Sequence, residues 1–228
     1  MKILITGACG FIGYNLAQSL LQKNNTVYAI DNLNDYYSPT LKKLRLKNLK
    51  KNKNLPDCFI LNAGINIYDN NKNFNLDNFR KCFDINFYGV MNFVDAIEKL
   101  KIKNKKIICI SSTSNIIPNP KALGYFSSKI LLKKNFSLLN FNKTNDYKTI
   151  ILGPVQTKIS RDLKKPKGLA GLIYRILQIS PEEAAKKIIF FAHSSRKTLY
   201  VTFFALIVYY SIKSVIFFMP NIYMKNKR

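Results

Sequence analysis

The stretch "TGACGFIG" limits what this chain can fold into more than any other. It follows the apolar run "KILI" and opens a segment in which Phe11, Ile12, Leu16, Leu20 and Leu21 share one helical face. Gly7, Gly10 and Gly13 thus lie between a strand and a helix, the context a dinucleotide-binding turn requires. One glycine makes the tight turn, one lets backbone approach a pyrophosphate, and one lets helix and strand pack closely. The N–H groups at the helix start then face the phosphates. A second apolar run, "TVYAID", ends at Asp31. A carboxylate there can accept hydrogen bonds from both hydroxyls of the adenosine ribose and repels a 2′-phosphate, so NAD is expected rather than NADP.

The rest of the chain continues the alternation. "SPTLKKLRLKNLKKNK" reads as a basic helix and "CFILNAG" as a buried strand. Leu76, Phe79, Phe83, Val90, Phe93 and Ile97 keep helical spacing through one long helix. "KIICISS" and "KTIILGPV" read as strands, residues 124–140 as a helix, and "TLYVT" as a last strand. Ser180, Pro181 and Glu183 form a capping-box start for a helix reaching about Ala192. Short apolar strands alternating with amphipathic helices imply a Rossmann-like, doubly wound α/β fold with a parallel sheet covered on both faces. Residues 1–202 are expected to form this single domain, and residues 203–228 an apolar helix with a basic tail.

Composition narrows the partners. The formal net charge is +25, from 37 Lys and Arg against 12 Asp and Glu. The excess accompanies Asn-rich runs such as "KNKN" and "DNNKNFNLDN", the signature of an AT-rich coding sequence. No nucleic-acid motif accompanies it, and no nucleic-acid partner is expected. Cys9, Cys58, Cys82 and Cys109 show no CxxC spacing, and His193 stands alone, so neither a metal site nor a disulfide framework is expected. His193 is expected at a surface or a helix end. "MKILITGACG" is too short an apolar stretch for a leader, which makes the reducing cytoplasm the expected compartment. The apolar tail leaves three readings open: a helix lining the substrate pocket or a subunit interface, an interfacial helix at the inner membrane surface, or a membrane span.

Together these motifs resemble the short-chain dehydrogenase/reductase family. "TGACGFIG", "NAG" (Asn62, Ala63, Gly64), "DINFYG" with Asn86, "SSTS" with Ser112, "YFSSK" with Tyr125 and Lys129, and "GPVQT" with Thr157 occur in family order. The resemblance implies an oxidoreductase that interconverts an alcohol and a carbonyl. Tyr125 would exchange a proton with the substrate oxygen. Lys129 would favour the phenolate and hold the nicotinamide ribose, Ser112 would orient the substrate, and Asn86 would anchor a water linking Lys129 to solvent. Ser111 and Ser114 are weaker candidates for the role of Ser112. Thr157 would hold the carboxamide, and Phe11, Ile12, Pro154 and Val155 would complete the cofactor site with the glycine loop, Asp31 and residues 62–64. A small carbonyl or alcohol substrate and a homo-oligomer are expected on the same ground.

Two departures from the family stand out. The head, through "AIDNLNDYYSPTLKKLRLKNL", looks like the nucleotide-sugar epimerases, whereas the chain from "LNAG" onward looks like the compact single-domain oxidoreductases. Between Asp31 and Asn62 no apolar run precedes Phe59, so the family's third strand is expected to be missing, leaving the second strand at the sheet edge. The alternative functions are therefore a nucleotide-sugar epimerase or dehydratase, and a non-catalytic protein with a truncated nucleotide site. The segment around "PKGLAGLIYRILQIS" occupies the position of the family's mobile substrate lid.

Overall fold

The structure is a computed structural model that describes residues 1–32, 56–69, 74–113, 120–142, 144–156 and 178–201. The expected basic helix of the head, the lid segment up to residue 177, Ser114, Thr157 and the apolar tail lie outside the described residues.

Six strands form one parallel sheet: β1 (Lys2–Thr6), β2 (Thr26–Ile30), β3 (Cys58–Leu61), β4 (Lys106–Ser112), β5 (Asp146–Leu152) and β6 (Thr198–Tyr200). Their order is β2-β1-β3-β4-β5-β6. Successive strand side chains point to opposite faces, so each apolar run feeds two cores. Ile3, Ile5, Cys58, Ile60, Ile108 and Ile110 pack on α1 (Phe11–Gln22) and on α5 (Pro181–His193) through Leu16, Leu20, Ala184 and Ile188. Phe59, Leu61, Ile107, Cys109 and Tyr147 pack on the other face against Val90, Val94, Ile97, Leu132 and Phe136. These belong to α3 (Gly89–Lys99) and α4 (Leu123–Leu139), with α2 (Leu76–Phe83) preceding α3. Burial of strands on both faces explains why they read as continuous apolar runs.

β2 ends the sheet, and among the described residues no strand pairs with its outer edge. The expected strand through residue 64 stops at Leu61. The N–H groups of Asn62 and Ala63 turn aside to the Thr6 hydroxyl, each at 3.1 Å, instead of continuing the ladder. The expected uniform helix over residues 76–97 is interrupted by a π turn at Asp84–Tyr88, which separates α2 from α3.

At the start of α5 the Ser180 hydroxyl accepts from the Glu183 N–H at 3.1 Å, with Pro181 in the first turn, as the sequence implies. Its C-terminal end is held by lysines from the sheet. Lys106 Nζ donates to the Ala192 carbonyl at 2.9 Å and Lys148 Nζ to that of Phe191 at 3.3 Å. Cations at a helix C-terminus satisfy its orphan carbonyls and complement its dipole. His193 is the exposed last residue of α5. The four cysteines are buried and form no disulfide, and burial pushes the thiols of Cys58 and Cys109 up to about 12.

Candidate active site

The glycine loop joins β1 to α1. Gly7 adopts φ +65°, and a Cβ there would stand 3.0 Å from Ala63 Cα. The loop therefore lies hard against the end of β3. A Cβ on Gly13 would sit 2.2 Å from the Gly7 carbonyl oxygen, so only hydrogen lets α1 approach the turn. Gly10 is the N-cap of α1 in extended conformation and brings no side chain of its own to the helix start. A helix leaves its first-turn N–H groups without intrahelical acceptors. Asp31 stands just past β2, and its carboxylate accepts from the Cys9 N–H of the loop at 3.0 Å. The first-turn amides, a turn built of the small residues Gly7, Ala8, Cys9 and Gly10, and a carboxylate beside it suit a dinucleotide.

Asn62 straps this loop to β3. Its side-chain amide donates to the carbonyls of Thr6 at 3.3 Å and Gly7 at 3.4 Å. On the far side, Pro154 and Val155 follow β5. The Pro154 carbonyl accepts from Ile179 N–H at 3.1 Å, and Val155 bridges Ile179 in parallel. A cavity of about 260 Å³ lies between the end of β3 and the π turn, lined by Thr6, Leu61, Ala63, Asp84, Ile85 and Phe93 among others. None of the four candidate catalytic side chains lines it.

Those four come from three elements. Asn86 occupies the π turn and is fully buried. A π turn carries one more residue than the α-helical count and re-aims the side chains it holds. The Asn86 amide clamps Ile65: Oδ1 accepts from the Ile65 N–H at 2.8 Å, and Nδ2 donates to the Ile65 carbonyl at 2.9 Å. Asn86 lies on the apolar stripe with Phe83, Val90 and Phe93, where a buried amide must find partners.

Lys129 lies in α4, buried, with its ammonium 5.8 Å from the centre of the Tyr125 ring one turn earlier. Both of its ends are tied to β4. Nζ donates to the Ile110 carbonyl at 2.8 Å, and the Lys129 carbonyl accepts from the Ser111 hydroxyl at 3.0 Å. Burial lowers its pKa from 10.5 to about 8. The group is still charged at neutral pH, close to where it would release its proton. Ser111 thus has a tethering role. Ser112, the next residue, ends β4 opposite Leu152 and is 8% exposed. Tyr125 is half-buried.

Gly64 is where amide and ammonium meet. A Cβ on it would stand 3.1 Å from Asn86 Oδ1 and 3.3 Å from Lys129 Nζ. The sequence reading places Gly64 with the cofactor residues. Its visible service is to leave room for these two groups. Ser128 is the residue that reading omits: it is fully buried and accepts from Asn86 Nδ2 at 3.1 Å. A signal existed, because Gly124, Ser128, Leu132 and Phe136 recur every fourth residue on the buried seam of α4. A hydroxyl in an apolar seam needs a partner, as the amide of Asn86 does.

The chain is similar to several known proteins. Protein CapI of Staphylococcus aureus is 35% identical over 137 residues, which are 50% of this chain and 38% of that protein. A UDP-glucuronate 4-epimerase of Thermodesulfobacterium geofontis is 49% identical over 51 residues, 22% of this chain and 16% of that one. The chain therefore spans well under two thirds of the length of these curated relatives. Among solved structures, an oxidoreductase of the short chain dehydrogenase/reductase family from Burkholderia thailandensis superposes with a TM-score of 0.73 at 16% identity. It covers 95% of this chain and 96% of its own. A short chain dehydrogenase from Burkholderia cenocepacia in complex with NADP gives 0.66 at 18%, covering 95% and 93%. A 3-oxoacyl-[acyl-carrier protein] reductase with bound NAD from Brucella melitensis gives 0.64 at 18%, covering 88% and 87%. At these identities the superpositions establish the Rossmann-like fold. The family model for short chain dehydrogenases matches residues 47–168. That match takes in β3, the π turn, β4, α4 and β5 and exceeds half of the chain, and on it the protein belongs to the short-chain dehydrogenase family.

Proposed function

We propose that the chain interconverts an alcohol and a carbonyl by hydride transfer, with NAD(H) as the preferred dinucleotide. The observation that carries this reading is the convergence of the Asn86 amide and the Lys129 ammonium on Gly64, one helical turn from the Tyr125 ring. The glycine loop, the first turn of α1 (Phe11, Ile12), Asp31, residues 62–64, Lys129, Pro154 and Val155 would hold the dinucleotide. Thr157 lies outside the described residues. When bound, the nicotinamide supplies or accepts the hydride.

The protein's own part is the proton. A free tyrosine ionises near pH 10 and is a poor base at neutrality. The buried ammonium of Lys129 favours the phenolate of Tyr125, which can then take the proton of a substrate hydroxyl or return it to a carbonyl oxygen. Ser112 would hydrogen-bond that same oxygen and orient it. Asn86, by fixing both polar atoms of Ile65, would hold the backbone beside Lys129 through which a water could reach its ammonium. Asp31 supports NAD over NADP, since a carboxylate repels a 2′-phosphate.

The test is NADH consumption by the purified chain across a panel of ketones and aldehydes, with calorimetric titration of NADH and NADPH. Tight NADH binding with carbonyl-dependent oxidation is expected. Binding without turnover on any carbonyl would favour a non-catalytic nucleotide-binding protein.

A second reading rests on the sequence relatives. The matches to CapI and to the UDP-glucuronate 4-epimerase, with a family match that starts only at residue 47, favour a nucleotide-sugar epimerase. Turnover of a UDP-sugar without net reduction of cofactor would support it. Among the described residues no helix is long and apolar enough to cross a membrane.

A further inference from the structure

We propose that Ser128 is a positioning residue of the site described above, fixing the Asn86 amide to the turn of α4 that carries Tyr125. The inference rests on the oxidoreductase reading for its consequence, and on hydrogen-bond geometry for its substance.

A carboxamide has one acceptor oxygen and two N–H hydrogens. In Asn86 the oxygen is taken by the Ile65 N–H, one hydrogen by the Ile65 carbonyl, and the other by the Ser128 hydroxyl at 3.1 Å. Because Ser128 Oγ accepts there, its own hydrogen must point elsewhere. It goes to the Tyr125 carbonyl at 2.8 Å. The bonds therefore run one way, from amide to hydroxyl to carbonyl, and a reversed amide would set an N–H against the Ile65 N–H. Asn86 and Ser128 are both fully buried, so water cannot replace either bond.

The arrangement joins the π turn to α4 at the residue preceding Lys129 and three beyond Tyr125. An alanine at 128 would keep the helix and the packing seam while leaving one Asn86 hydrogen buried without an acceptor. Relief would come by rotating the amide or by moving α4 relative to the π turn. Either change alters the spacing between the Ile65 clamp, the Lys129 ammonium and the Tyr125 ring, on which proton transfer depends. A threonine keeps the hydroxyl and should keep the link.

The direct test is hydrogen exchange of the Asn86 side-chain amide, followed by NMR on the nitrogen-labelled full-length chain and assigned with Asn86→Ala. In the unmodified chain both hydrogens should exchange slowly. In Ser128→Ala one of the two should exchange at least about tenfold faster while the other stays protected, and Ser128→Thr should restore both. Fast exchange of one hydrogen in the unmodified chain overturns the proposal, and so does protection of both in Ser128→Ala. The first measurement needs no substitution at Ser128, so a Ser128→Ala chain that fails to fold leaves the proposal testable.

The kinetic arm uses the NADH-dependent carbonyl assay. Ser128→Ala should lower kcat about tenfold and displace the pH profile, with the affinity for NADH unchanged. If the unmodified chain binds NADH but reduces no carbonyl, the functional reading fails while amide exchange still decides the role of Ser128.

Discussion

The ammonium of Lys129 stands 5.8 Å from the centre of the Tyr125 ring and donates to the carbonyl of Ile110, with no carboxylate paired to it among the described residues. A buried lysine held in this way has a cost that depends on pH. Burial lowers its pKa from 10.5 to about 8. Below the lower value, folded and unfolded chains both carry the proton. Between the two values the unfolded chain keeps a proton that the folded chain has released, so stability rises with pH across that window. The span corresponds to roughly 3 kcal/mol. The buried thiols of Cys58 and Cys109 lose stability over the upper part of this window, so the lysine is read by difference: urea unfolding at the two ends should show the unmodified chain gaining stability relative to Lys129→Met, which keeps the same thiols.

Tyr125→Phe removes the phenolic hydroxyl and leaves the ring. Carbonyl reduction should fall at least about a hundredfold, with NADH affinity within a factor of about two of the unmodified chain. Unchanged turnover would remove Tyr125 from the chemistry.

Asp31→Ala removes the carboxylate that faces the glycine loop from the end of β2. Calorimetry should show NADH binding weakened about tenfold and NADPH binding weakened less or improved, as expected for loss of a charged hydrogen-bond acceptor. A larger loss for NADPH would reverse the cofactor assignment.

Gly124→Ala addresses stability alone. A Cβ there would stand 2.7 Å from Phe79 Cα, a backbone atom that cannot swing aside. Forcing α2 and α4 apart should cost about 1–3 kcal/mol, measured as a lowered Tm. An unchanged Tm would mean that the two helices do not cross this closely in solution.

Gly64→Ala presses on the active groups instead. Its Cβ would come within 3.1 Å of Asn86 Oδ1 and 3.3 Å of Lys129 Nζ, side-chain atoms that can yield by a few tenths of an ångström. The chain should remain folded while turnover drops about tenfold. Turnover equal to that of the unmodified chain would show that these two groups tolerate displacement.

Local features of this protein were legible in its sequence. The glycine turn after β1, the alternation of apolar runs and helical faces, and the Ser180 cap each depend on neighbours in the chain. The place of β2 at the end of the strand order among the described residues also agrees with the lack of an apolar run before Phe59. What the sequence hid depends on contacts across the fold. Ser111 and Ser112 are identical neighbours, and only the packing of α4 on β4 assigns the first to the Lys129 carbonyl. Lys148 looks like an ordinary strand lysine until the end of α5 is placed over it. The apolar spacing from Phe83 to Ile97 fits a plain α-helix closely enough to conceal the π turn.

That turn makes the helix sensitive to length rather than to chemistry. Each residue of an α-helix turns the chain by about 100°. Deleting one residue other than Asn86 within Asp84–Tyr88 would regularise the helix and rotate one half against the other by that angle. Either the amide of Asn86 would keep its grip on Ile65, or Val90, Val94 and Ile97 would keep their seat on the sheet. The surplus residue is what lets a single helix satisfy both.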